Sequence, residues 1–248
     1  MNKPFNNTEV LFGIHSVYEA LIAEKRKIFE IYAQSKNSNR FKKIFNIAKN
    51  RNIPIEIYSS NKLNLICKND THQGIAAKTS KFVFAGRKEI FQNKEKGFWL
   101  ILDGITDPHN LGAIIRTALC AEASGVIIPK DRSAFPTSTV SKISAGALEH
   151  IKLLTVPNLV SFIKEIKKEN IWIAGLDGSS EKSLFNADFS IPIALVIGSE
   201  EKGIRRLVKE NCDFLVSIPQ SPDFNSLNAS VAASIAIYEV KRQRMMAS

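Results

Sequence analysis

Apolar and polar positions along this chain fall into two regimes that change near residue 97. In the first, short apolar runs alternate with amphipathic stretches. VLFG (10–13), KIFEIYA (27–33), IPIEIY (53–58) and GIAAKT (74–79) predict strands, while 14–25, 39–51 and 61–67 carry helical spacing. Together they predict a compact α/β unit over residues 1–80. On the stretch 39–51, Phe41, Ile44, Phe45 and Ala48 share one face, and Arg40, Lys42, Lys43, Lys49 and Arg51 occupy the rest. Such a helix shows either a merely solvated back or a surface that tracks phosphates. Residues 81–97 interleave charges without a sustained period and predict a linker.

The second regime, 98–248, is built differently. FWLILD (98–103), GVIIP (125–129), IKLLTV (151–156), IWIAGL (171–176), IALVIG (193–198) and FLVSIP (214–219) are nearly continuous apolar runs. Runs of this kind predict strands buried on both faces of a parallel sheet. Helical stretches lie between and after them, at 111–123, 137–150, 159–170, 203–211 and 226–244. The expected fold class is therefore α/β: a parallel-sheet domain following a small α/β domain. Ligands are expected where strand C-termini meet helix N-termini.

Charge sharpens the division. Of 34 Lys+Arg and 24 Asp+Glu, residues 1–97 hold 18 and 8, which leaves 16 against 16 for the remainder. All the net positive charge sits in the front segment, as expected of a module that neutralises nucleic-acid phosphates. A Lys-rich surface kept for solubility is the blander account. At 44% hydrophobic and 23% charged the chain reads as soluble. With no apolar leader after Lys3 and no membrane-length apolar run, it is expected to be cytoplasmic, with no membrane partner. Cys67, Cys120 and Cys212 are odd in number and far apart, and His15, His72, His109 and His150 form no ligand pair, so no metal is expected.

No G-x-G-x-x-G follows the run 98–103; Asp103-Gly104-Ile105-Thr106-Asp107-Pro108 stands there instead. Gly198 and Gly203 have phosphate-loop spacing, but Ile204 stands where that motif needs Lys. What remains are three polar clusters, at 107–118, 197–203 and 218–230, each following an apolar run. Taken singly, each has a local explanation: Asn110 and Ser226 as helix caps, Gly203 as a turn residue. Three on one rim of a parallel sheet make a site.

In these clusters the chain resembles the SpoU family of RNA ribose 2′-O-methyltransferases, of the knotted class that uses S-adenosylmethionine. The resemblance covers 98–248. It is carried by N-x-G-A-I-x-R-T-A at 110–118, I-G-S-E-x-K-G at 197–203 and S-L-N-x-S at 226–230. The front domain resembles the ribosomal-protein-like RNA-binding module of the subgroup that modifies large-subunit ribosomal RNA. The resemblance implies a C-terminal trefoil knot, a rare exception to unknotted topology. It implies a cofactor pocket walled by Ile197, Gly198, Ile218 and Leu227. It also implies a catalytic group of Arg116, nearest the chemistry, with Asn110 and Glu200 fixing geometry and Ser226 and Asn228 completing the polar rim.

An arginine is a poor general base. Two roles for Arg116 stay open: it sheds a proton with help from the substrate phosphate, or it remains cationic, grips that phosphate and aligns the hydroxyl. On the bland account it makes an ion pair with a neighbouring element. The chain departs from the family pattern at Glu201, where glycine is common, at Ala229, where valine is usual, and in the S-P-D-F insert before Asn225. The stretch 226–244 is apolar on nearly all sides, which suits the family's homodimer. The expected substrate is ribosomal RNA, at a guanosine of the large subunit. The alternatives are transfer RNA, a resistance-conferring ribosomal site, or a non-catalytic RNA-binding or ribosome-assembly factor.

Overall fold

The structure is a computed structural model that describes residues 8–92, 94–221, 223 and 226–247. Pro222, Phe224 and Asn225 of the insert region lie outside the described residues. In chain order the elements are β1 (Thr8–Phe12), α1 (Ile14–Ala23), β2 (Ile28–Ala33), α2 (Lys42–Asn50), β3 (Ile55–Ile57), α3 (Ser60–Cys67), β4 (Ile75–Ser80), α4 (Arg87–Ile90) and β5 (Phe98–Asp103). They continue with α5 (Pro108–Cys120), β6 (Gly125–Pro129), α6 (Ser138–Ile143), β7 (Leu153–Val156), α7 (Leu159–Lys167), β8 (Trp172–Leu176), β9 (Ile193–Gly198), α8 (Arg206–Lys209), β10 (Phe214–Val216) and α9 (Ala229–Met246).

The chain divides into two compact units. One comprises Met1–Val83 with Phe135–His150, built on a mixed four-stranded sheet of order β1-β4-β2-β3. β4 runs antiparallel to β1 and β2, and β3 runs parallel to β2. One cluster of its core joins Val17, Leu21, Ile31, Ile44 and Ile75, and another joins Phe12, Tyr32, Leu63 and Ala76. The basic stretch 39–51 folds as expected: its apolar residues Phe41, Ile44 and Ala48 are buried, while Arg40, Lys42, Lys43, Lys49 and Arg51 stay exposed.

The segment 135–150 belongs to this unit through a buried charge cluster. Arg26, 4% exposed, donates to both carboxylate oxygens of Glu149 at 2.6 and 3.0 Å and also meets Glu9; Ser141 Oγ donates to Glu149 Oε1 at 2.9 Å. Buried charges persist when paired and hydrogen-bonded, as here. The helix expected over 137–150 stops at Ile143, because Ala145 and Gly146 take left-handed backbone at φ 51 and 84, and only a 3₁₀ turn at Ala147–Glu149 follows. A Cβ at Gly146 would stand 2.5 Å from the Glu19 side chain, so the turn needs glycine.

The other unit, Phe84–Ala134 with Ile151–Ser248, holds a six-stranded sheet of order β10-β8-β9-β5-β6-β7. Every pairing in it is parallel. The apolar runs are its strands because both faces are covered: β5 is buried at all six positions and β9 at its first five. Within the expected linker, residues 84–92 are packed into this unit. Ala85 N donates to Leu153 O at 2.9 Å, Trp99 Nε1 donates to Ile90 O at 3.0 Å, and Phe91 packs against Trp99 and Phe162. β10 ends at Val216 rather than 219, since Ser217 leaves the sheet to exchange backbone bonds with Lys182 and Leu184. No helix among the described residues is long and apolar enough to cross a membrane.

Candidate active site

β5 and β9 lie side by side at the middle of the sheet, with Asp103 opposite Gly198 at their C-terminal ends. The chain moves from β5 towards β6 and β7 on one side, and β8, β9 and β10 lie on the other. Their boundary is the kind of switch point where parallel sheets open a crevice for ligands.

After Asp103 the backbone turns at Gly104, φ 81, and enters α5, whose first turn is capped by Asp107: its Oδ1 accepts from His109 N at 2.9 Å. Asp107, not Asn110, is therefore the cap, and Pro108 follows at the helix start, where its missing N–H costs nothing. Asn110 is left free to point its amide elsewhere, and its Nδ2 donates to Glu200 Oε1 at 3.0 Å.

After Gly198 the chain makes a tight turn closed by two backbone bonds between Ser199 and Gly203, at 3.2 and 2.9 Å. Gly203 takes φ 61, as a turn residue should. Gly198 has a stricter duty: a Cβ there would lie 2.1 Å from the Gly203 carbonyl carbon. Asp103 secures the exit of the turn. Its buried carboxylate accepts from Arg205 N at 2.8 Å and Arg205 Nε at 2.6 Å. The helix expected over 203–211 begins only at Arg206, since Arg205 keeps extended backbone.

The third segment arrives at the same carboxylate. Asn228, not Ser226, caps α9, its Oδ1 accepting from Ser230 N at 2.9 Å, while its Nδ2 donates to Glu200 Oε1. Ala229 N donates to that oxygen at 3.0 Å. One carboxylate oxygen thus ties the starts of α5 and α9 to the turn after β9. Charge-assisted bonds of this type contribute roughly 1.5–3 kcal/mol each where shielded from water, and less at this exposed rim.

Two cavities flank the knot of bonds and share Ser199, Glu200, Gly203 and Ala229. The smaller, about 170 Å³, is lined by Ile197, Gly198, Ile218 and Leu227, together with Leu176 and Ser226. The larger, about 380 Å³, is lined by the 103–107 turn, Asn110, the 199–203 turn, Arg132 and Arg205. The four residues expected to wall a cofactor thus meet in one cavity. Asn110, Glu200 and Asn228 meet at one atom. Ser226 lines the smaller cavity. Arg116 stands apart: it is exposed on α5, lines neither cavity, and makes no hydrogen bond or ion pair among the described residues. One residue on, Thr117 Oγ1 lies 3.2 Å from Ser234 Oγ and so joins α5 to α9.

Asp103, Arg132 and Arg205 also line the larger cavity, and the sequence motifs do not single them out. Asp103 could be found as an acid closing an otherwise apolar strand; no comparable signal marks the two arginines.

Comparison with known proteins supplies the context. Residues 97–238 match the SpoU rRNA methylase family, and residues 10–84 match the RNA 2′-O ribose methyltransferase substrate-binding family. Among similar proteins, a 23S rRNA (guanosine-2′-O-)-methyltransferase RlmB of Ralstonia nicotianae is 40% identical over 96% of this chain and 97% of its own. A putative TrmH family tRNA/rRNA methyltransferase, YacO, of Bacillus subtilis is 39% identical over 95% and 96%. In fold, the chain is similar to the SpoU methyltransferase AviRb of Streptomyces viridochromogenes, crystallised in complex with AdoMet. The TM-score is 0.83 at 22% identity, covering 97% of this chain and 92% of that one.

Proposed function

The chain belongs to the SpoU family and is an RNA ribose 2′-O-methyltransferase, and we propose that it methylates a guanosine of large-subunit ribosomal RNA with S-adenosylmethionine as donor. The observation that carries the reading is the convergence of Asn110, Asn228 and Ala229 on Glu200 Oε1, beside the cavity of Ile197, Gly198, Ile218 and Leu227. The name of the Ralstonia relative, at 40% identity over nearly the whole chain, supports the nucleotide and the RNA.

The lining of the smaller cavity suits the donor, of which its volume of about 170 Å³ takes a part. Ile197, Ile218 and Leu227 offer apolar walls for an adenine ring, and Gly198, without a side chain, lets a ligand approach the backbone closely. When bound, the sulfonium supplies an electrophilic methyl group. The chain's own task is placement. Glu200 holds the starts of α5 and α9 in register, and the larger cavity beside it admits a ribose. Arg116 grips the phosphodiester next to the target and aligns the 2′-hydroxyl. With the donor bound, the C–O bond would form as the methyl–sulfur bond breaks, S-adenosylhomocysteine would be the leaving group, and the hydroxyl proton would pass to water. The unit with the four-stranded sheet, with the exposed basic back of α2, holds structured RNA through its phosphates, and the unit with the six-stranded sheet carries the chemistry.

Two further features complete the proposal. Gln243 binds Phe189 N and Ala187 O, both at 2.8 Å, and Arg244 donates to Ile191 O at 2.9 Å, so α9 is laced to the segment before β9. This supports a trefoil knot in which the terminal chain passes that segment. Val231, Tyr238 and Met245, spaced by seven on α9, are 46%, 52% and 68% exposed and form an uncovered apolar stripe. This supports a homodimer through α9, next to the helix that carries Arg116.

Transfer of a labelled methyl from S-adenosylmethionine to fractionated RNA tests the reading, with the product mapped by its resistance to alkaline cleavage. Label is expected in large-subunit rRNA, and Arg116→Ala is expected to lose transfer while retaining cofactor binding. Label confined to transfer RNA would replace the substrate, and cofactor and RNA binding without any transfer would favour a binding factor.

A further inference from the structure

The larger active-site cavity does not end at Arg132 and Arg205. Both residues also line a second cavity of about 690 Å³, within the size range of about 300–1,000 Å³ typical of ligand sites. Its lining includes the apolar side chains of Pro157, Val160 and Leu207, the last 53% exposed. Its rim carries Arg132, Arg205 and Arg206 against a single acid, Asp131. Arg205 engages Asp103 and Arg206 engages Glu210 at 2.6 Å, but Arg132 makes no hydrogen bond or ion pair among the described residues.

Arg132 is also held in a conformation an L residue avoids. Its φ is 59, and the loop that carries it is pinned by Ala134 N to Ile105 O at 2.7 Å. Left-handed backbone at a non-glycine residue persists where neighbours enforce it, and such positions cluster at ligand clamps. The enforced residue here is a solvent-facing arginine set between two cavities.

We propose that this second cavity is a subsite for the nucleotide flanking the methylated one, its phosphodiester held by Arg132 and Arg206 and its base laid on Leu207 and Val160. The inference rests on the RNA-methylating reading above. A guanidinium fork matches a phosphate, the apolar side chains of Leu207 and Val160 offer a surface to a base face, and Arg132 and Arg205, shared by the two cavities, join this subsite to the cavity that takes the ribose. Reading a splayed flanking nucleotide would let the enzyme choose its site in single-stranded RNA, where bases are free to leave the stack.

Steady-state transfer to a fragment of the methylated RNA, at several salt concentrations, tests this. Arg132→Gly removes the side chain while suiting the left-handed backbone. It is expected to raise KM for RNA roughly tenfold, a larger change than in kcat, and to reduce the slope of log(kcat/KM) against log[salt] by about 0.7 for the lost phosphate contact. Arg206→Ala is expected to act in the same direction, Leu207→Ala to raise KM without altering the slope, and Arg132→Lys to restore the slope. Wild-type KM and slope in Arg132→Gly and Arg206→Ala, with the parent enzyme active, would overturn the subsite alone. A parent enzyme that transfers no methyl to any RNA would overturn the activity itself, and the subsite with it.

Discussion

Glu200 Oε1 lies 3.0 Å from the side-chain nitrogen of Asn110, a residue ninety positions earlier in the chain, and accepts its hydrogen bond. The same oxygen takes Asn228 Nδ2 and Ala229 N, so removal of one carboxylate releases three donors from two separately placed segments. Glu200→Ala is expected to lower methyl transfer on the order of a hundredfold, since misplacement by about 1 Å costs that much, while RNA affinity stays close to wild type. Glu200→Gln keeps an acceptor and is expected to retain more activity than the alanine variant. Equal activities for the two would show that charge, not acceptance, is what matters there.

Gly198 has no room for a side chain. A methyl group would meet the backbone of Gly203 and Ile204 at 2.1–2.3 Å, and backbone cannot swing aside as a side-chain tip can. Gly198→Ala is therefore expected to cost about 2–3 kcal/mol in unfolding free energy and to abolish cofactor binding, by denaturant titration and calorimetry respectively. Unchanged binding would mean that the 199–203 turn can move out and still form the pocket.

Arg26 and Glu149 are both buried, and loss of either leaves the other with only Glu9 or Ser141 as a polar partner among the described residues. Arg26→Ala is expected to destabilise its unit by about 3–5 kcal/mol. Replacing both by apolar residues of similar volume, Arg26→Met with Glu149→Leu, is expected to recover most of that loss, although Glu9 and Ser141 also lose a partner. Chemical denaturation of the three proteins compares them directly.

His72 sets a pH dependence. It is 3% exposed, its Nδ1 accepts from Gly74 N at 2.9 Å and its Nε2 lies 2.8 Å from Asn64 Oδ1, so the neutral ring fits the site. Burial, the largest cause, and then Lys142 lower its pKa below the ordinary 6.5, with Asp70 opposing. A histidine lowered on folding contributes its full stability above about pH 6.5 and loses it as pH falls towards the folded value. Thermal unfolding between pH 7.5 and 5.5 is expected to show a drop in Tm that is smaller in His72→Gln. Parallel curves for the two would remove His72 as the cause.

The strands were legible because burial on both faces leaves a signature in composition: β5, β6 and β9 occupy the same residues as their apolar runs, 98–103, 125–129 and 193–198. Helix limits were less legible, because caps are chosen by competition. Asn110 is a good cap in isolation, but Asp107 takes the position and releases Asn110 for Glu200. Ser226 loses the same contest to Asn228. The break in 137–150 follows from contact of Gly146 with Glu19 across more than a hundred residues of chain, and no local pattern reports that. Asp103 stands out as an acid closing an apolar strand, but its partner Arg205, 102 residues away, does not show in the local pattern. Motif residues were found because they recur in fixed order. Arg132 belongs to no motif, and its backbone angle and two cavities become visible only when the loop after β6 is placed beside β5.

The pairing of Asp103 with Gly198 acts as a ruler. A slip of one step between β5 and β9 would carry the two turns about 3.3 Å past each other and turn each side chain to the opposite face. On the proposed reading, alignment of a hydroxyl with a methyl group is therefore metered by a ladder of amide bonds beneath the two turns. Damage to that ladder, even where every polar side chain above survives, silences the enzyme as surely as loss of a reacting group.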